Sequence, residues 1–197
     1  NCSYCSNFFF KNLYDNSNKY VRFRSPANII AEIEECEMNY KFNKISFEDD
    51  MFTVSLKWLK EFSELYMRRF SYPFRCNIRP ESAKKETLQL LKKMGCEIVS
   101  MGLEAGDEKI RRDVLGRKMS DKMVIEAAKN IKESGIKLRT YNMVGIPNET
   151  VTSLLKTIAL NFKIAPHEVQ TTVYYPLRGT DLGDMCYDKS LVNTSRN

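Results

Sequence analysis

One histidine in 197 residues, and no C-x-x-C besides Cys2-Ser3-Tyr4-Cys5, leave this chain short of zinc ligands. A structural zinc site wants four donors, usually at close local spacing, so a complete one is disfavoured. No apolar run approaches the ~20 residues that a bilayer-crossing helix needs, which argues against a membrane protein. A concentrated basic stripe with interleaved aromatics, the mark of a nucleic-acid surface, is missing too. The net charge is +6, and the lysines stand beside glutamates across Glu81 to Lys93 and Lys122 to Lys137, as on solvated helix faces. Neither an initiator methionine nor a signal peptide opens the chain. The start reads as a cut end.

What is present is an ordinary balance, 43% hydrophobic and 28% charged, with enough chain for one domain and its core. The six cysteines are an even number, but a chain this long and helical does not need disulfide staples. Cys36, Cys76 and Cys96 sit inside apolar patterns as small hydrophobes. To about Ser25 the chain shows no helix period. Ser25 then caps a helix whose first turn holds Pro26 and whose apolar face is Ile29, Ile30, Ile33 and Cys36. Further helices read at about 56–66, 86–94, 121–134 and 149–162, and strands at about 44–47, 74–78, 96–101, 136–144 and 169–174. Gly95 and Gly135 suit helix C′ positions. Alternating strands and helices argue for parallel βαβ units. A partial TIM-like barrel and an open doubly wound sheet both fit, and both put function at the C-terminal ends of the strands.

Those ends carry the polar, glycine and aromatic residues: Glu48-Asp49-Asp50, Asn77 and Arg79, Gly102 to Gly106, Gly145-Ile146-Pro147, and Tyr174 to Thr180. Cys2 and Cys5, three residues apart, can turn both sulfurs to one side. A thioredoxin-like pair wants its cysteines at a helix start. An asparagine- and phenylalanine-rich loop follows here instead, so an iron–sulfur centre with a further ligand upstream fits better. His167, after Pro166, reads as a surface loop residue. Phe8-Phe9-Phe10 either covers a cluster or packs under the rim.

Read together, these segments resemble the radical S-adenosylmethionine family, most closely its cobalamin-binding subgroup. The start looks like the end of C-x-x-x-C-x-x-C, with Tyr4 as the aromatic before the last cysteine and the first cysteine four positions before Cys2, outside this chain. Arg22 to Pro26, Phe47 to Phe52, Ser100 to Gly106 with Arg117, Met143 to Pro147 with Glu149-Thr150, and Tyr175-Pro176 with Gly179-Thr180 match in order. The resemblance runs from Asn1 to about Leu182.

It implies an α/β fold, a partial TIM-like (β/α)6 barrel over residues 1–182 with its first strand missing from this chain, and an irregular tail over 183–197. It implies a 4Fe–4S cluster on Cys2, Cys5 and the upstream cysteine, and S-adenosylmethionine chelated to the open iron. Reductive cleavage there gives a 5′-deoxyadenosyl radical that abstracts hydrogen from a small or medium organic substrate; the cofactors carry that chemistry. Cobalamin on an upstream domain, an electron donor such as flavodoxin or ferredoxin, and a cytoplasmic, anaerobic setting belong to the same expectation. By this resemblance Glu48 and Asp49 meet the methionine amino group. Asn77 stands where a ribose-binding glutamate is common, Glu104 lines the cofactor site, Arg117 pairs with the methionine carboxylate, and Val144 and Gly145 lie against adenine.

On ordinary grounds alone, Arg117 is a solvated residue after the Gly116 turn, Glu104 caps a helix starting near Asp107, Asp49 and Asp50 form a turn, and Val144 is core. Two other functions stay open: a methylthiotransferase-like enzyme acting on RNA or protein, and a non-catalytic iron–sulfur or interaction module.

Overall fold

A computed structural model of the chain describes residues 2–7 and 22–192. Phe8-Phe9-Phe10 lies outside the described residues. Among the described residues, five parallel strands stand in one sheet in the order of the chain: β1 (Ile45–Phe47), β2 (Phe74–Ile78), β3 (Cys96–Glu104), β4 (Lys137–Val144) and β5 (Glu168–Val173). Helices α1 (Pro26–Asn39), α2 (Leu56–Arg69), α3 (Lys85–Lys93), α4 (Asp121–Glu133), α5 (Val151–Ile164) and α6 (Asp181–Asp188) alternate with them. A doubly wound sheet reverses its strand order at a switch point. This one never reverses, so the sheet curls into a half-barrel, and the choice left open by the pattern falls to the barrel.

Local chemistry accounts for the boundaries. The Ser25 side chain accepts a hydrogen bond from the Asn28 N–H, and Pro26 occupies the first helical turn. Ser55, Ser120 and Thr150 cap α2, α4 and α5 in the same way. Gly95 and Gly135 follow α3 and α4 at φ +93° and +73°, a region open to glycine at little cost. The layer between strands and helices is apolar: Leu59, Phe62, Phe74, Val99, Met101, Ile131 and Leu138 are fully buried. Aromatic rings fill it near β1, with Phe47 and Phe52 stacked at 4.7 Å and Phe47 edge-on to Phe74 at 5.3 Å.

Three expectations need correction. The tail is not irregular from residue 183. Asp181–Asp188 is a helix capped by Thr180, and its Leu182 and Cys186 are buried, which gives it a packing face that the sequence pattern concealed. The helix expected near Asp107 does begin there, at residue 108, but it ends as a π turn over Ile110–Val114 instead of continuing as an α-helix. Cys36 is only half-buried, whereas Cys76 and Cys96 are core residues as expected.

Candidate functional site at the barrel rim

Cys2 and Cys5 lie at the C-terminal rim, both half-buried, on a turn closed by the Cys5 N–H donating to the Cys2 carbonyl at 3.4 Å. Ser3 between them is tied on three sides. Its N–H donates to Leu115 O at 3.1 Å, its hydroxyl to Val114 O at 2.6 Å, and its carbonyl accepts from the Leu182 N–H at 2.9 Å. Tyr4 packs against a second apolar cluster that includes Ile110, Leu115, Met143, Ile146 and Leu182.

Beside this turn, β3 ends in a register shift between Gly102 and Glu104, with Glu104 at φ +66°. A glutamate in the left-handed region costs of order 1 kcal/mol or more. The strained bulge aims the carboxylate at Arg117, Oε1 to Nη1 at 3.3 Å. The same guanidinium donates to the Tyr4 hydroxyl at 3.3 Å and to Gly102 O at 2.8 Å. Arg117 and Glu104 are only 13% and 12% exposed at their side chains. Arg117 is therefore no solvated turn residue, and Glu104 faces an arginine instead of capping a helix.

Burial pushes the Glu104 carboxyl above its ordinary value, against the pull of Arg117. Burial, then the Glu104 charge, pushes the Tyr4 phenol up as well. Burial works against the Arg117 charge, but Tyr4 and Glu104 outweigh it and hold the guanidinium above its usual range. A cavity of roughly 450 Å³ opens here, lined by Cys2, Arg79, Gly116 and Arg117 among others.

The other rim residues form a separate group. The Asn77 amide donates to Asp49 O at 3.0 Å. Glu48 accepts from the Arg75 guanidinium at 3.1 Å and from Ser46, whose hydrogen bond is the first cause of its lowered pKa. The contact that joins the two groups is Asn7, whose amide donates to Asp50. At the end of β4, Val144 is half-buried rather than core, because the half-barrel leaves the strand's end uncovered. Gly145 follows at φ +76° and its N–H donates to Glu149 Oε2 at 2.7 Å. The other oxygen of Glu149 is buried with no partner among the described residues.

Sequence reasoning missed two supports of the site. Arg111 is fully buried and holds Ala105 O at 2.6 Å and the Asp121 carboxylate. Ser3 carries no signal beyond its place between two cysteines. Among the described residues, no three His, Cys, Asp or Glu side chains converge as a cage, so Cys2 and Cys5 are the donors at hand. Two thiolates on a braced turn fit part of a cysteine-bound iron–sulfur cluster.

A sequentially ordered parallel half-barrel with a braced cysteine turn on its C-terminal rim defines a class: α/β barrels with a pair of thiol donors where TIM-like folds place their chemistry. Residues 1–160 match the Radical SAM superfamily, and the chain belongs to it. An uncharacterized methyltransferase of Pyrococcus horikoshii is 24% identical over 195 residues, 98% of this chain and 41% of that protein. The anaerobic magnesium-protoporphyrin IX monomethyl ester cyclase of Rubrivivax gelatinosus is 26% identical over 191 residues, 95% of this chain and 33% of that protein. The fold is shared with the radical S-adenosylmethionine methyltransferase TsrM of Kitasatospora setae, solved with cobalamin and a 4Fe–4S cluster. Its TM-score is 0.72 at 16% identity, covering 88% of this chain and 33% of that one. The chain thus spans about two-fifths or less of these relatives.

Proposed function

We propose that this barrel belongs to an enzyme that binds a 4Fe–4S cluster and S-adenosylmethionine and abstracts hydrogen from a small or medium organic substrate, with cobalamin-assisted methyl transfer or ring formation as its outcome. The observation that carries the reading is the cysteine turn, braced at the strand ends of a sequentially ordered half-barrel next to the Tyr4–Arg117–Glu104 group. The cobalamin bound in TsrM, and the methyltransferase and cyclase names of the relatives, support the outcome.

Cys2 and Cys5, with a third cysteine upstream, would hold the cluster. When bound, the cluster would supply the electron that cleaves S-adenosylmethionine to the 5′-deoxyadenosyl radical. The protein's own residues bind and orient. The Glu48 carboxylate is already engaged by Arg75, so Asp49, steadied through its carbonyl by Asn77, is the freer partner for the methionine ammonium. Arg117 suits the methionine carboxylate, its planar fork matching that group. Glu104, with its raised pKa, can take a proton and release the guanidinium to an incoming carboxylate. The unspent oxygen of Glu149, beside Val144 and Gly145, suits a donor such as the adenine amino group. A flavodoxin- or ferredoxin-type protein would deliver the electron, in an anaerobic cytoplasm.

The test uses the full-length protein, reconstituted with iron and sulfide without oxygen, reduced, and given S-adenosylmethionine. 5′-Deoxyadenosine is expected, and Cys2→Ala or Cys5→Ala should abolish it. No product from a folded protein with a full, reduced cluster would sink the enzyme reading and leave a binding module.

A further inference from the structure

Of the residues around the two cysteines, Ser3 has every backbone and side-chain polar group committed, and to two elements distant in sequence. The π turn Ile110–Val114 ends with the Leu115 N–H donating back to Ile110 O at 3.0 Å. A helical turn leaves its last carbonyls without intrahelical donors. Val114 O and Leu115 O are in that position, and Ser3 supplies both donors, one from its hydroxyl and one from its backbone. On the other side, α6 begins at Asp181, and the first N–H groups of a helix lack intrahelical acceptors. The Leu182 N–H finds its acceptor in Ser3 O at 2.9 Å. The loop thus caps the end of one element and the start of another.

α6 is itself placed tightly. The Thr180 hydroxyl accepts from the Gly183 N–H at 3.1 Å and donates to Leu177 O at 2.7 Å. A Cβ on Gly183 would collide with the Leu177 carbonyl, so the first turn of the helix sits flush on the turn before it. Leu182 is buried in the apolar cluster against which Tyr4 packs. The C-terminal helix, the π turn and the cysteine loop meet at one residue.

We infer that Ser3 is a positioning residue for the Cys2 and Cys5 thiolates, and that α6 is the bolt that holds it. The inference rests on Cys2 and Cys5 being cluster ligands. The direction of each thiolate, and its exposure to solvent, follow from how the residues between the cysteines are pinned. Hydrogen bonds to the sulfurs and solvent exposure are among the quantities that set an iron–sulfur potential. A loop held at three points keeps both constant, and one released from Val114 O does not.

The experiment compares wild type, Ser3→Ala, Ser3→Thr and Thr180→Ala in the anaerobically reconstituted full-length protein. Circular dichroism reports the fold. The midpoint potential, the electron paramagnetic resonance spectrum of the reduced cluster, and the rate of iron loss to a chelator report the loop. Ser3→Ala should keep the fold but shift the potential and the spectrum, and lose iron severalfold faster. Ser3→Thr, which keeps the hydroxyl, should return all three toward wild type. Thr180→Ala leaves the cysteine loop untouched and loosens the first turn of α6. It should shift the same signals in the same direction, and it carries the test if Ser3→Ala does not fold. Potentials, spectra and chelation rates unchanged in Ser3→Ala and Thr180→Ala, beside a wild-type cluster, would overturn the inference alone. A wild type that builds no cluster would overturn it together with the reading on which it rests.

Discussion

Replacing Arg117 by methionine should destabilise the protein by an amount that depends steeply on pH. The substitution keeps most of the side-chain volume and removes the charge beside Glu104, together with the hydrogen bonds to Gly102 O at 2.8 Å and to the Tyr4 hydroxyl at 3.3 Å. Breaking a buried ion pair by removing one partner costs about 3–5 kcal/mol when the remaining charge has no escape. Glu104 has one, because it can take up a proton. Neutral pH lies about 2.5 units above the ordinary glutamate value of 4.5, and at about 1.36 kcal/mol per unit the electrostatic penalty is capped near 3.4 kcal/mol. The two lost hydrogen bonds add about 2 kcal/mol at any pH.

The sign follows from proton counting. Without Arg117 the folded state holds the Glu104 proton to higher pH than the unfolded chain does, so stability falls as pH rises through that window. Burial already raises Glu104 in the wild type, so the loss relative to it should be at most about 5 kcal/mol at pH 7 and less than about 3 kcal/mol at pH 5. Urea unfolding at pH 5, 6 and 7 measures it. The double substitution Arg117→Met with Glu104→Gln should remove most of the slope. A loss that stays flat from pH 5 to 7, or a slope that survives in the double variant, would refute the coupling of these two side chains.

Gly106→Ala should cost at least about 2 kcal/mol, because a Cβ there runs into the backbone of Lys156 and Thr157 and strains the buried 2.7 Å bond from the Gly106 N–H to the Thr157 hydroxyl. A thermal midpoint equal to wild type would show that α5 gives way freely. Leu155 and Phe162, 58% and 88% exposed, lie on an apolar stripe of α5 with Val151 and Ile158. Leu155→Glu with Phe162→Glu should change stability by no more than about 0.5 kcal/mol and lower self-association seen by light scattering. A loss of several kcal/mol would mean that the stripe is covered in solution.

Much of the fold was legible from one dimension because its causes are local. Ser25-Pro26 starts α1 through a side-chain cap and a fixed φ, and Gly95 and Gly135 end helices because the backbone there turns left-handed. The spacing of Leu59, Phe62 and Tyr66 marks one helix face at any depth in the fold. Cys2 and Cys5 were legible for the same reason, being three residues apart. The choice between barrel and open sheet was not legible in the pattern and came only with the family resemblance, since strand order belongs to the sheet and not to any segment of it.

The site's working parts were hidden by distance along the chain. Glu104 and Arg117 stand 13 residues apart, and they meet because a bulge at the end of β3 turns one toward the other. Arg111 is buried because Ala105 O and Asp121 close over it, which no local pattern announces. Val144 looked like core, but the half-barrel leaves its strand end half open. Ser3 meets Val114 across 111 residues. Backbone conformation and helix faces are set by neighbours within a turn or two, and the sequence determined those. Which carbonyl is left without a donor, and which side chain comes to fill it, depends on where whole elements dock, and only the tertiary structure decided that.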